Sequence, residues 1–365
     1  TLDVSGAEMY NSILTIAPSP ITKKTIWVGT DDGQVQLTTD GGSNWTNLTD
    51  RVKGMPKEGW ISKIMASSYD TKTAWLVVNN YRKGDYNPYL FKTEDLGKTW
   101  VRLADEKNIK GYALSFIQDP VESKLVFLGT ENGLWISIDE GVSWVQFKNG
   151  FPSVSTMDLA IQKPESALIV GTFGRAIWVL DDLLSLREIV AQHIKSGISA
   201  LPMNDAVQVK GLFINPPGNI WTGFHTTFEG ENRVFQKTKI PFYLSESPDS
   251  THIVKATIYD SQKRRIKTLE TNTLVKGLNY LIWQLDEQAA SLSTTSDDYD
   301  NKGIAVLPGT YSIHLNYNEY KDSTEVNVVA DPRFELDPTV DQALYKYRKE
   351  VDAQVEILGQ QLQDL

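Results

Sequence analysis

The chain runs to 365 residues with 41% hydrophobic content, enough to bury more than one core when domains take ~100–200 residues each. Its 46 acidic against 36 basic residues leave a net charge of −10, which argues against nucleic acid as a partner, because phosphate backbones ask for a basic face. With no cysteine and four scattered histidines (His193, His225, His252, His314), it has neither a disulfide framework nor the ligand set of a zinc site, and no metal or cofactor is expected.

The chain opens at Thr1 without an initiator Met or a charged-then-apolar leader, as a mature form or an excised piece does. No stretch approaches the ~20 apolar residues of a membrane helix, so no membrane insertion is expected. An internal repeat organises residues 1–183. TTDGGSNW at 38–45, TEDLGKTW at 93–100 and SIDEGVSW at 137–144 all read [S/T]-x-D-x-G-x-x-W, with tryptophans 55 and 44 residues apart. That spacing predicts successive four-stranded propeller blades, one of them carrying an insertion. The strands are expected at 12–18, 25–30, 34–39 and 45–48; at 61–67, 74–78, 89–93 and 100–103; and at 113–118, 125–129, 134–138 and 144–147. A fourth set at 157–162, 168–171 and 176–180 ends in Asp181-Asp182-Leu183 in place of the motif. Four blades sit at the lower limit of the ~4–8 that close a ring. Preceding blades of the same ring are therefore expected outside this sequence, with the edge at 11–17 exposed or paired with another chain.

Each motif has a structural logic as a hairpin turn. The aspartate (Asp40, Asp95, Asp139) accepts backbone N–H bonds, the glycine (Gly42, Gly97, Gly141) takes a shape other residues resist, and the tryptophan (Trp45, Trp100, Trp144) packs under the next strand. Because these turns join strands three and four, the loops from strand two to strand three share the opposite end. Those loops carry Asp31 and Asp32, the insertion at 79–88 with Tyr81, Arg82, Asp85 and Tyr86, then Glu131 and Asn132, then Phe173 and Arg175. Aromatic and hydrogen-bonding groups together suit a sugar or peptide surface. The plainer alternatives are hairpin turns at Asp31-Asp32-Gly33 and Glu131-Asn132-Gly133, and a structural ion pair between Arg175 and a carboxylate such as Asp181.

Residues 183–195 fit a short amphipathic helix, and 196–210, with Gly197, Pro202 and Asn204, read as a linker, so 184–210 is taken as helix plus linker. From 211 to 332 alternation predicts seven strands, at 219–225, 237–244, 254–259, 266–270, 277–284, 309–316 and 323–329, the pattern of an immunoglobulin-like sandwich. The polar run 291–302 reads as a solvated loop, with a calcium site among Asp297, Asp298 and Asp300 as the alternative. In the final segment, 333–365, Asp337-Pro338 is a helix start. Val340, Leu344, Tyr347, Val351, Val355, Leu358 and Leu362 then draw a narrow apolar stripe that asks for a partner: the sandwich, a further helix or another protein.

The three Asp boxes, together with IWVGTDDG at 26–33 and VGTFGRAIWVLDD at 170–182, resemble bacterial sortilin-type, BNR-repeat propeller proteins. The resemblance implies an all-β chain of Asp-box propeller blades, an Ig/FnIII-like β-sandwich and a C-terminal α-helix. It also implies a protein of the periplasm, the cell surface or the secreted fraction, as in the Bacteroidota. Sialidases and two-propeller xyloglucanases share the Asp box, but no catalytic residue transfers onto positions here. Residues 1–183 hold only Arg51, Arg82, Arg102 and Arg175 for the arginine triad a sialidase needs. The expectation is a non-catalytic binding or scaffold protein that presents a propeller face to a polysaccharide or protein. The alternative is a glycoside hydrolase whose site needs blades outside this chain.

Overall fold

A computed structural model describes residues 11–148, 150–208, 238–249, 251–289, 303–332 and 337–363. The chain divides into two compact units, Thr1–Ala191 and Gln192–Leu365.

Unit 1 is a series of antiparallel sheets in chain order. The first holds β1 (Ile13–Pro18), β2 (Ile26–Thr30), β3 (Val35–Thr38) and β4 (Thr46–Asn47). The second holds β5 (Trp60–Ala66), β6 (Ala74–Asn80), β7 (Asp85–Thr93) and β8 (Val101–Ala104). The third holds β9 (Ala113–Gln118), β10 (Val126–Thr130), β11 (Gly133–Ser137) and β12 (Val145–Phe147), and the fourth β13 (Thr156–Gln162), β14 (Ala167–Thr172) and β15 (Ile177–Leu180). One extra residue interrupts the ladder between first and second strands at the same place in each of these four sheets: Leu14, Ser62, Leu114 and Met157. Such a bulge sharpens the local twist. It also fixes which residues are equivalent from one sheet to the next.

Both faces of the inner sheets are buried, which is why β6 and β10 are almost wholly apolar. Trp27, Val35 and Leu37 pack against Ile64, Leu76 and Phe91 of the second sheet. Trp75, Val77 and Leu90 pack against Phe116, Val126 and Leu128 of the third, and Phe127 and Leu134 against Leu159, Leu168 and Val170 of the fourth. The two outer faces differ. Two residues past the bulge, Ile64, Phe116 and Leu159 are 2%, 1% and 4% exposed, whereas their equivalent Ile16 in the first sheet is 62% exposed. At one equivalent place in the third strands, Val35, Leu90 and Leu134 are 0%, 0% and 1% exposed, whereas Ile177 of the last sheet is 70% exposed. Four sheets thus end in an uncovered apolar face on each side among the described residues.

The motif turns close the first three sheets. Thr38, Thr93 and Ser137 give their hydroxyls to Asp40, Asp95 and Asp139 at 2.8, 2.9 and 2.7 Å, and the same hydroxyl oxygens accept the N–H of Gly42, Gly97 and Gly141. Each aspartate then accepts both the backbone N–H and the side chain of Asn44, Thr99 or Ser143. Trp100 and Trp144 pack backward and not under the next strand, Trp100 meeting Trp27 edge-on at 5.9 Å and Trp144 joining the core that contains Trp75 and Leu103, whereas Trp45 is exposed.

In the fourth sheet, which has three strands, α1 (Leu183–Val190) contributes Leu183 and Val190 to the core. Asp182 caps α1 by accepting the Ser185 N–H at 3.0 Å, the role expected of an N-cap aspartate. Arg187 is buried and forks onto Asp119, with Nε–Oδ1 at 3.0 Å and Nη2–Oδ2 at 2.9 Å, while its Nη1 donates to Ser166 at 2.8 Å.

Unit 2 is a two-sheet sandwich. β16 (Ile198–Ala200), β18 (Thr238–Leu244) and β21 (Gly277–Trp283) form one sheet. The other runs β17 (Ala206–Gln208), β23 (Tyr320–Ala330), β22 (Gly309–Tyr317), β19 (Val254–Tyr259) and β20 (Arg265–Thr271), with β17 parallel to β23. Alternate residues such as Ile240, Phe242, Leu281 and Trp283 face Ala256, Ile258, Ile313 and Leu315 in the core, the period-two burial of a sandwich.

The segment 196–210 is not the linker its composition predicts: β16 and β17 lie within it and belong to the sandwich, and α1 belongs to unit 1. Three-residue strands are too short to show a period of two. The strand expected at 219–225 and the loop 291–302 with Asp297, Asp298 and Asp300 lie outside the described residues. Helix α2 (Pro338–Gln363) starts where Asp337 accepts the Thr339 N–H at 2.8 Å. It docks through polar contacts. Glu287, buried in the sandwich, accepts from Tyr345 Oη, from Lys349 Nζ at 2.8 Å and from Arg264 Nη2 at 3.1 Å.

Candidate binding face

The loops between second and third strands are stitched to the incoming strands of the next sheet. Gly33 approaches Glu58 and Gly59, ahead of β5, and its φ of +84° is one that a side chain resists. Glu58 is bridged by Lys83 at 2.9 Å. The Lys83 ammonium holds the Glu58 carboxyl below its usual range. Farther along, the Glu131 N–H donates to the Tyr112 carbonyl at 3.0 Å, and Ser155 donates to the Glu131 carbonyl at 3.2 Å and accepts, through its own carbonyl, the Phe173 N–H at 2.9 Å. Residues from all four sheets therefore meet at one end of unit 1.

The insertion forms the tallest part of this end. β6 and β7 extend beyond the other hairpins, and the 3₁₀ turn Tyr81–Lys83 joins them. Asp85 fastens its base by accepting from Asn80 Nδ2, Tyr89 Oη and both nitrogens of Asn87, at 2.8 to 3.2 Å. Burial alone would raise the Asp85 pKa, but these hydrogen bonds outweigh it and the carboxyl is lowered. Above this base lies a continuous stack. The Arg82 guanidinium sits 3.0 Å from the centre of the Trp60 ring and 4.5 Å from that of Tyr81. Tyr81 stacks on Tyr112 at 4.8 Å and 21°, and Tyr86 tilts against Tyr112 at 6.2 Å and 50°. Burial first, and then the Glu131 charge, raise the Tyr112 pKa.

The remaining sequence candidates have local partners or stand apart. Asp31 is buried and accepts the backbone N–H groups of Asn11 and Ser12 at 2.9 and 2.8 Å, while Asp32 accepts the Thr30 hydroxyl. Asn132 accepts, through its carbonyl, from Gln146 and Ser153 at 2.9 and 3.1 Å. Phe173 and Arg175 are exposed; the Arg175 carbonyl accepts the Trp178 indole N–H at 2.8 Å. Sequence reasoning missed Trp60 and Tyr112. Trp60 opens β5, paired with Asn79, and Tyr112 directly precedes β9; no motif marks either, and the one available signal is an aromatic residue at the start of the first strand in sheets two and three. Among the described residues no cluster of three or more His, Asp or Glu side chains could hold a metal ion.

Fold and site together define an all-β protein of stacked propeller-type sheets joined to a β-sandwich. No family model and no curated protein matches the chain. Solved structures similar to it include YCF48 bound to D1 peptide, at 15% identity and TM-score 0.36 over 47% of this chain and 52% of that one. YCF48 from Cyanidioschyzon merolae is similar at 13% identity and TM-score 0.34, over 47% and 54% of the two chains. The GH74 xyloglucanase from Xanthomonas campestris is similar at 13% identity and TM-score 0.41, over 86% of this chain and 45% of the enzyme. This chain spans about half the length of each of these proteins.

Proposed function

We propose that unit 1 is a non-catalytic binding module whose loop end receives a polypeptide, in a sortilin-type Asp-box repeat protein that works outside the cytoplasm. The observation that carries this reading is the stack Trp60–Arg82–Tyr81–Tyr112–Tyr86. Carbohydrate platforms need a free aromatic face. Here Trp60, Tyr81 and Tyr112 spend ring faces on one another and on the guanidinium, and a cluster that mixes aromatic, guanidinium and hydroxyl groups suits the mixed polar and apolar surface of a peptide. Tyr86, 58% exposed, is the side chain best placed to make the first contact.

Asp85 and Asp31 at this end support binding over glycoside hydrolysis. A hydrolase needs one carboxyl kept protonated by a raised pKa, whereas Asp85 is lowered and Asp31 is occupied by two backbone donors. The uncovered faces at Ile16 and Ile177 support a larger ring, in which further sheets of the same protein stack on both ends of this array. The extracytoplasmic assignment rests on the motif resemblance.

Selection of peptides from a displayed random library, alongside titration with β-glucan oligosaccharides and a reducing-sugar assay, tests the reading. The expected result is peptide binding without sugar release. Sugar release by the purified chain, or glucan binding with no peptide binding, overturns it.

A further inference from the structure

We infer that α2 is a self-association element, which pairs antiparallel with the same helix of a second copy about a two-fold axis at Val351. In α2 the polar side chains Tyr345 and Lys349 face the sandwich, while five residues of the apolar stripe are left exposed. Val340, Leu344, Tyr347, Val351 and Leu358 are all exposed, Tyr347 at 64%. Apolar side chains along one line of a helix that is already docked by its other face are the usual mark of a helix partner.

The spacing of the stripe says which partner. Its steps are 4, 3, 4, 4, 3 and 4 residues, and that series reads the same from either end. Val340 and Leu362, Leu344 and Leu358, and Tyr347 and Val355 are equidistant from Val351. Two copies laid antiparallel therefore face apolar layer to apolar layer along the whole element, with Val351 opposite itself. This is the self-complementary arrangement that a two-fold interface requires. Residues 340, 351 and 362 also recur every eleven positions, a period close to that of a straight helix, so the stripe stays on one line without a left-handed supercoil.

Charge selects the direction. Before Val351, α2 holds the cations Lys346, Arg348 and Lys349, the last paired with Glu287, beside Asp341 and Glu350, a net charge of +1, whereas the half beyond it carries Asp352 and Glu356 with no cation. Antiparallel pairing sets the cationic half of one copy against the anionic half of the other. Parallel pairing aligns like with like, an arrangement that charge patterning disfavours.

The cysteine-free chain makes the test direct. Single cysteines are introduced in the full chain at Val351→Cys, Leu344→Cys and Leu358→Cys, and each protein is oxidised at a concentration where sedimentation shows association. A disulfide needs Cα atoms within about 7 Å, so V351C should link to itself. L344C and L358C should each stay unlinked alone and link when mixed in equal amounts. The variant Val351→Asp, at an exposed site, should weaken dimerisation at least about tenfold with an unchanged unfolding transition. Self-linking of L344C alone as complete as that of V351C indicates parallel pairing and overturns the proposal. A chain that stays monomeric in sedimentation, or dimerisation untouched by V351D, overturns it as well.

Discussion

The turns at 38–45 and 93–100 are built by the same hydrogen bonds and stand in different surroundings. In both, a threonine hydroxyl meets the aspartate and accepts the glycine N–H. In the second, Trp100 lies on Trp27, and a methyl group on Gly97 would meet Leu48 of the first sheet at 2.5 Å. In the first, Trp45 is 45% exposed, and the nearest neighbour of such a group on Gly42 is Trp45 itself at 3.9 Å. The octapeptide therefore encodes its own hydrogen bonding, while the energy of its tryptophan comes from the sheet before it. The fourth sheet shows the opposite solution. It has no such turn, and a helix held by a buried ion pair helps to close it.

The largest effect is expected where that ion pair is broken. Arg187→Met leaves Asp119 buried without its partner and should cost about 3–5 kcal/mol in denaturant unfolding of the chain; a loss below about 1 kcal/mol removes α1 as an anchor of the fourth sheet. Next comes the tryptophan pair. Trp100→Ala should cost about 2–4 kcal/mol and Trp45→Ala less than about 1 kcal/mol, because only the former opens a cavity between sheets. Equal losses break the comparison between the two turns. Gly97→Ala should follow, at about 2 kcal/mol, against about 1 kcal/mol for Gly42→Ala: both sit at positive φ, but only Gly97 also meets a neighbouring side chain.

The smallest effect is in acid. Hydrogen bonds from the Asn44 backbone, the Asn44 side chain and Thr38 lower the Asp40 pKa to about 2. At Asp95 and Asp139 burial raises the pKa, but the turn hydrogen bonds outweigh it, so both are lowered too. Because the folded state prefers the ionised form, the stabilisation is present above the unfolded pKa of about 4 and is lost as pH falls toward about 2. Thermal melts of the native chain and of Asp40→Asn should differ above pH 4 and converge toward pH 2; a constant gap through that window contradicts the assignment.

Much of the fold was legible in residue order. The repeated octapeptides and the apolar runs between them placed fourteen of the fifteen strands of unit 1 to within a residue or two, because strands buried on both faces are nearly continuous apolar segments, while β7 begins at Asp85, four residues before the expected 89. The sandwich strands from β18 onward were equally visible through their alternation. What stayed hidden depends on partners distant in sequence. Arg187 and Asp119 are 68 residues apart, β17 is held by a parallel ladder to β23, and neither leaves a local pattern. The seventh residue of each motif, Asn44, Thr99 or Ser143, is a missed element with a local signal: a short polar side chain four residues after the aspartate, in reach of its second oxygen. At the binding end, Tyr81, Arg82, Asp85 and Tyr86 stood out through the length of their insertion. Trp60 and Tyr112 did not: Trp60 reaches the stack through its ladder position opposite Asn79 in the same sheet, and Tyr112 only when the third sheet brings its incoming strand beside it.

The reading of unit 1 as a peptide-binding module is tested most directly by titrating one selected peptide against the native chain and against Tyr86→Ala and Tyr112→Ala. Each substitution should weaken binding at least about tenfold, with Tyr86→Ala leaving the unfolding midpoint unchanged. Unaltered affinity in both variants, while the peptide still binds the native chain, places the partner elsewhere and contradicts the assignment of this face.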